Sequence, residues 1–141
     1  MHRVQVALVL WLVSAPAVPK GWRVVKDAKA RCQLAVPGEW TGETSLASAP
    51  GRKGTAVVHG LPKGRTWDQA ISFAKTAMKP VTMIEDGPAR VWYAYDSGSE
   101  GTTSWYVVVP GDPICTAQVE FREAGLEVTA RAIVGSLEAV R

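Results

Sequence analysis

The fold class is most visible in residues 89–122, ARVWYAYDSGSEGTTSWYVVVPGDPICTAQVEFR. This segment contains three runs rich in β-branched and aromatic residues, at 89–95, 102–109 and 114–122. Glycine, proline, serine and aspartate between the runs, in SGSEG and PGDP, are the residues that tight turns require. Because the turns are short, we predict three neighbouring strands in an antiparallel meander.

The remaining chain adds shorter strands around a long loop. Further strands are predicted at 22–26, 31–36, 54–59 and 81–84. Residues 41–53, rich in Gly, Ser, Thr, Ala and Pro, are predicted to form a loop.

Two amphipathic helices complete the pattern. Thr66 and Gln69 fit a capping box at the start of a helix that Pro80 ends. An apolar stripe predicts a second helix over 125–141, in which Gly135 would allow close packing against the sheet. The order β-β-β-α-β-β-β-β-α predicts an α+β fold, with two helices covering one antiparallel sheet of six to seven strands.

Residues 1–17 have the organisation of a secretory signal peptide. A short positive start precedes the mostly apolar run VQVALVLWLV, and Ala15 and Ala17 are placed as the small residues of a cleavage site. The apolar run is about half as long as a helix that spans a bilayer, so we expect no stable membrane span after cleavage. We predict a single domain over 18–141 and a periplasmic or extracellular location. An uncleaved anchor or a buried strand is the alternative interpretation.

The charge of the chain argues against nucleic acid as a partner. Removing Arg3 with the signal peptide leaves 15 of the 16 Lys and Arg residues against 13 Asp and Glu residues, a weak positive balance. Residues 50–80 are mostly basic and residues 81–127 mostly acidic. We therefore predict a basic side and an acidic side, or else two solvated faces that serve only solubility. The basic side would hold a patch for an anionic partner, formed by Arg52, Lys53, Lys63 and Arg65.

The sequence offers few groups for catalysis or metal binding. Residues 18–141 contain one histidine, His59, and two cysteines far apart in the chain. No serine lies in a nucleophile-elbow pattern, and these groups have no metal-ligand spacing. We therefore expect no catalytic residue, no metal and no cofactor. The enzymatic alternative is a thiol or redox enzyme that uses Cys32 or Cys115 with His59.

Both cysteines are predicted to face the core. Cys32 alternates in step with Leu34 and Val36 on one predicted strand, and Cys115 does so with Ala117 on another. In an exported chain this arrangement favours a Cys32–Cys115 disulfide. Two buried free thiols are the alternative.

Tryptophan is the other candidate for ligand binding. Residues 18–141 contain five tryptophans, of which Trp92 and Trp105 flank the SGSEG hairpin. Exposed indole rings at these positions would stack on a sugar, as in a carbohydrate-binding module. The alternative is that the tryptophans cover the sheet as core residues and cross-strand pairs.

A corner motif and the order of the elements point to a family. The chain contains, in order, CQLAVPGEW, TWDQAISFAK, WYAYDSGSEGTTSWYVVVP, CTAQVEF and ARAIVGSLEAV. This order resembles the domain shared by PsbP, the extrinsic subunit of the oxygen-evolving complex, and many small exported bacterial proteins. The resemblance implies an α-β-α sandwich and a role in binding or assembly, and it transfers no functional residue to this chain. We predict an exported binding or assembly domain without catalytic activity, whose partner is a protein or another envelope component.

Overall fold

The computed structural model describes residues 18–141, so the predicted signal peptide lies outside the described residues. The strands are β1 (Trp22–Lys26), β2 (Cys32–Pro37), β3 (Leu46–Ser48), β4 (Gly54–Gly60), β5 (Pro80–Asp86), β6 (Val91–Tyr95), β7 (Thr103–Val109), β8 (Cys115–Phe121) and β9 (Glu138–Ala139). The helices are α1 (Trp67–Ala77) and α2 (Glu127–Gly135).

The strands form two antiparallel sheets. Six of them pair in the order β3-β4-β8-β7-β6-β5, which contains the predicted meander of β6, β7 and β8. The other three form a small sheet in the order β1-β2-β9. Helix α1 packs on one side of the six-stranded sheet, and α2 packs with the small sheet on the other. The α+β class with two covering helices is thus confirmed, whereas the prediction of one sheet was wrong.

Alternation along the strands divides the core between the two sides of the large sheet. On β7, Trp105 and Val107 face α2 and the small sheet, whereas Tyr106 and Val108 face α1. The core on the α2 side is the larger of the two, and it also contains the side chain of Trp40.

Helix α1 begins as the sequence predicted. The Thr66 hydroxyl accepts a hydrogen bond from the Gln69 backbone N–H at 3.1 Å, and the Gln69 side chain accepts one from the Thr66 N–H at 3.0 Å. Buried Ala70 and Ala74 let the helix approach the sheet closely. There the Tyr93 hydroxyl donates to the Ala74 carbonyl at 2.8 Å, which fixes the helix above β6.

The C-terminal segment corrects the sequence prediction. Helix α2 ends at Gly135 rather than Arg141, because the Ser136 hydroxyl donates to the Ile133 carbonyl and accepts from the Ala35 N–H, both at 2.7 Å. The chain then turns back as β9, which pairs with β2. A Cβ atom at Gly135 would meet nothing within 4 Å, so close packing does not explain this glycine.

Two other segments differ from the prediction. The expected loop at 41–53 contains β3, which pairs with β4 and extends the large sheet by one strand. Strand β5 runs over seven residues instead of four, with two register irregularities against β6. Bulges of this kind shield an edge strand from pairing with another chain.

Candidate functional site

The two cysteines form a disulfide between the sheets. Cys32 at the start of β2 and Cys115 at the start of β8 are bonded, with their Cα atoms 5.7 Å apart, and neither is exposed. His59 lies on the other face of the large sheet, because its neighbour Val58 faces the core that holds Cys115. Among residues 18–141, the thiol alternative therefore finds no free thiol and no histidine beside the sulfur atoms.

A buried carboxylate supports the chain at this bond. Asp27 is 7% exposed, and its Oδ1 accepts hydrogen bonds from the backbone N–H groups of Arg31 and Cys32, both at 2.7 Å. Burial alone would raise the pKa of Asp27, but these backbone bonds, a longer one from Lys29 and the Arg31 charge outweigh it and lower the pKa. The ionised Asp27 thus fixes the β1–β2 turn that presents Cys32.

The two tryptophans proposed for ligand stacking lie in the core. Trp92 is 6% exposed and Trp105 is 3% exposed. Their rings meet edge to face at 5.0 Å, and the Arg131 guanidinium lies over both rings. Neither ring offers a face on which a sugar could stack, so burial favours the interpretation of cross-strand core pairs.

One half of the α1 side of the large sheet has no described helix over it. Helix α1 packs on β6 and β7, whereas β8, β4 and β3 extend beyond it. Alternation and cross-strand register place seven partly or fully exposed side chains of β3, β4 and β8 on this surface. We call this surface the open half-face; it consists of Leu46, Ser48, Thr55, Val57, His59, Gln118 and Glu120.

Phe73 of α1 borders the open half-face. On one flank of the helix, Lys75 pairs with Asp86 of β5 at 3.5 Å. At 3.6 residues per turn, Phe73 lies on the flank of α1 opposite Lys75. Because Lys75 is on the side of β5, Phe73 is on the side of β8 and β4. Its ring is 58% exposed, and Leu46 at the far border is 41% exposed. Two large apolar side chains therefore flank the surface.

The floor of the open half-face is partly polar. The Tyr95 hydroxyl donates to Glu120 at 3.1 Å, and this pair crosses β7 above Ser104. Burial, followed by the negative charge of Glu120, raises the pKa of Tyr95 well above its usual range. Ser104 is 2% exposed, and its hydroxyl has no hydrogen-bond partner. Gln118 contacts the Met78 sulfur at 3.7 Å, where the surface meets α1.

The four residues of the predicted anionic-partner patch do not form one cluster. Arg52 and Lys53 precede β4, whereas Lys63 and Arg65 follow it in the loop that leads to α1. The two pairs are therefore about 20 Å apart, at opposite ends of the open half-face. Arg122 joins the first pair, where a cleft of about 130 Å³ is also lined by Thr55, Thr102 and Glu120.

The predicted basic and acidic sides are also not separated. Lys53 binds Glu123 at 2.9 Å and Lys75 binds Asp86, so two ion pairs connect the basic stretch of sequence with the acidic one. The fold interleaves the charges because α1 and β4 pack beside strands of the acidic stretch.

Residues 18–141 offer neither a metal-binding cluster nor a membrane-spanning helix. Within this range, no group of three His, Cys, Asp or Glu side chains is placed to hold a metal ion. None of the described helices is long and apolar enough to cross a bilayer.

Comparison with known proteins bears on the fold. Among solved structures, the chain is similar to the solution structure of cyanobacterial PsbP (CyanoP) from Synechocystis sp. PCC 6803, with a TM-score of 0.54 and 12% identity. The match covers 92% of this chain and 99% of that chain. The fold is PsbP-like. No protein-family model and no curated protein sequence matches the chain.

Sequence reasoning missed the residues that border the open half-face. Leu46 fell in a predicted loop, and Phe73 fell outside the apolar stripe of α1. A large aromatic residue on the polar side of a helix is a usable signal, because such a ring is normally buried. Asp27 lies between two predicted strands, and its burial has no sequence signal.

Proposed function

We propose that the chain is an exported domain without catalytic activity that binds a protein partner of the cell envelope through the open half-face. The observation that carries this proposal is the half of the sheet that no helix within residues 18–141 covers, bordered by exposed Phe73 and Leu46. Large apolar side chains left exposed close together are typical of interaction sites, and here they border a partly polar floor. A binding or assembly role also accords with the PsbP-like fold.

Export is supported by the chemistry of the cysteines. The Cys32–Cys115 disulfide is compatible with an exported protein, because disulfides persist in oxidising compartments and are rare in the cytosol. N-terminal sequencing of the secreted protein is expected to begin at Val18. A protein retained in the cytoplasm with residues 1–17 attached would refute this part of the proposal.

Site-specific photo-cross-linking tests the proposed surface. A photoreactive phenylalanine analogue replaces Val57, on the open half-face, in intact cells that export the chain. The matched control places it at Val128, which is 80% exposed on α2, on the other side of the large sheet. We expect a discrete protein adduct from position 57 and none of that mass from position 128. The same adducts from both positions, or none from position 57, would refute the proposal.

A further inference from the structure

The open half-face has room for one more helix beside α1. Six strands about 4.8 Å apart span about 24 Å, and a helix with its side chains is about 10 Å wide. Helix α1 therefore leaves a strip about as wide as a second helix over β4 and β3. Its border is β8, where Thr116 is buried and Gln118 contacts Met78. Phe73 lies along one border of the strip, Leu46 lies along the other, and Val57 lies between them.

Both ends of this strip are positively charged. Five cations lie near the two ends of β4: Arg52, Lys53, Arg122, Lys63 and Arg65. Two carboxylates accompany them, Glu123, which binds Lys53 at 2.9 Å, and Glu120 on the floor. Two copies of this chain facing each other here would bring like charges together, which disfavours a second copy as the occupant. A partner with acidic groups at both ends fits instead.

The spacing of the charges sets the length of the partner segment. The seven residues of β4 span about 23 Å at about 3.3 Å per residue. A helix covers that distance with about 15 residues, or four turns. A membrane surface is flat and fits a recessed strip beside a helix less well.

We infer that the open half-face binds an amphipathic helix of about 15 residues from the partner protein, with acidic side chains at both ends. This inference rests on the proposed function, which makes the same surface the partner site. The apolar stripe of the helix packs on Val57 between Phe73 and Leu46, and its acidic ends meet the two groups of cations.

Designed peptides test the inference on the exported, disulfide-bonded protein. One labelled helical peptide carries a leucine stripe with glutamates at both ends, a second carries lysines at the ends, and a third has the stripe scrambled. Fluorescence anisotropy is expected to show binding of the first peptide about tenfold tighter than of either control. The second peptide reverses the sign of all the end charges, and the third loses the apolar contacts of the stripe. Added salt at 0.5 M should reduce that preference.

Variants locate the binding. Val57→Asp should abolish binding of the glutamate-ended peptide, and Phe73→Ala, which removes an exposed ring without touching the core, should weaken it several-fold. Arg122→Glu combined with Lys63→Glu should reverse the preference between the two end charges. Val128→Asp, on the other side of the large sheet, is the control and should leave the affinity unchanged.

Each outcome bears on one of the two claims. Equal binding of glutamate-ended and lysine-ended peptides, or binding of none, would overturn the helix inference. Binding to vesicles of anionic phospholipid that Val57→Asp abolishes would overturn it in favour of a membrane surface. A cross-linked partner at position 57 without peptide binding would refute the helix and leave the proposed function standing. The absence of that adduct refutes the proposed function whatever the peptides do.

Discussion

Replacing both cysteines by alanine, Cys32→Ala with Cys115→Ala, removes the covalent link between the two described sheets. The bond joins residues separated by 83 positions, and closing a loop of that length stabilises the fold by about 4.5 kcal/mol in the chain-entropy model. Domains are stable by only about 5–15 kcal/mol in total, so the loss is a large part of the whole. Both sulfur atoms are also fully buried, which adds a smaller packing loss.

Urea unfolding followed by tryptophan fluorescence measures this loss, since Trp92 and Trp105 are buried and become exposed on unfolding. With a slope of about 1.5 kcal/mol per molar urea, the midpoint should fall by about 3 M. The wild-type protein in a thiol reductant should unfold at nearly the same midpoint as the double variant. Non-reducing mass spectrometry should recover the Cys32–Cys115 peptide pair from the untreated protein. A loss below about 1 kcal/mol would refute the loop-entropy reasoning, and free thiols in the untreated protein would refute the bond itself.

Three further predictions concern the buried polar and glycine positions. Gly60→Ala would place a Cβ atom 3.0 Å from the Cys32 sulfur and should lower the free energy of unfolding by about 1–3 kcal/mol. Gly135→Ala has open space around the new Cβ atom and should be neutral or slightly stabilising in the same unfolding assay. Asp27 has a lowered folded-state pKa, so its contribution is present above the unfolded pKa of about 3.9 and lost as pH falls through the folded value. In the Asp27→Asn variant, the free energy of unfolding should therefore fall less steeply as the pH is lowered. An unchanged dependence of that free energy on pH would contradict this. Burial raises the pKa of all three tyrosines, so absorbance at 295 nm should show no ionisation near pH 10 until the protein unfolds, and a normal titration of the folded state would contradict their burial.

Local chemistry explains which elements were predictable. The capping box of Thr66 and Gln69 involves atoms three residues apart, so its pattern in the sequence is sufficient to start α1. The turns after β6 and β7 are likewise encoded by their own residues. The end of α2 was missed because Ser136 binds Ala35, which lies 101 positions earlier in the chain. A hydrogen bond between residues so far apart in the chain leaves no periodic pattern in the sequence.

Burial of a side chain depends on what packs above its strand. Tyr93 and Val57 lie on the same side of the large sheet, yet Tyr93 is fully buried beneath α1 while Val57 lies on the open half-face. The sequence gives each strand two faces, but it does not say which part of a face a helix of 11 residues will cover.

By itself, the sequence determined the α+β class, the order of most elements and the facing of Cys32 and Cys115, because these depend on periods of two and 3.6 residues and on turn chemistry. Only the tertiary structure decided that β9 returns to β2, that Arg52 and Lys63 lie at opposite ends of the open half-face, and that no described helix covers this surface. These properties depend on how strands distant in the chain are ordered across a sheet, and pairing order is fixed by packing between elements.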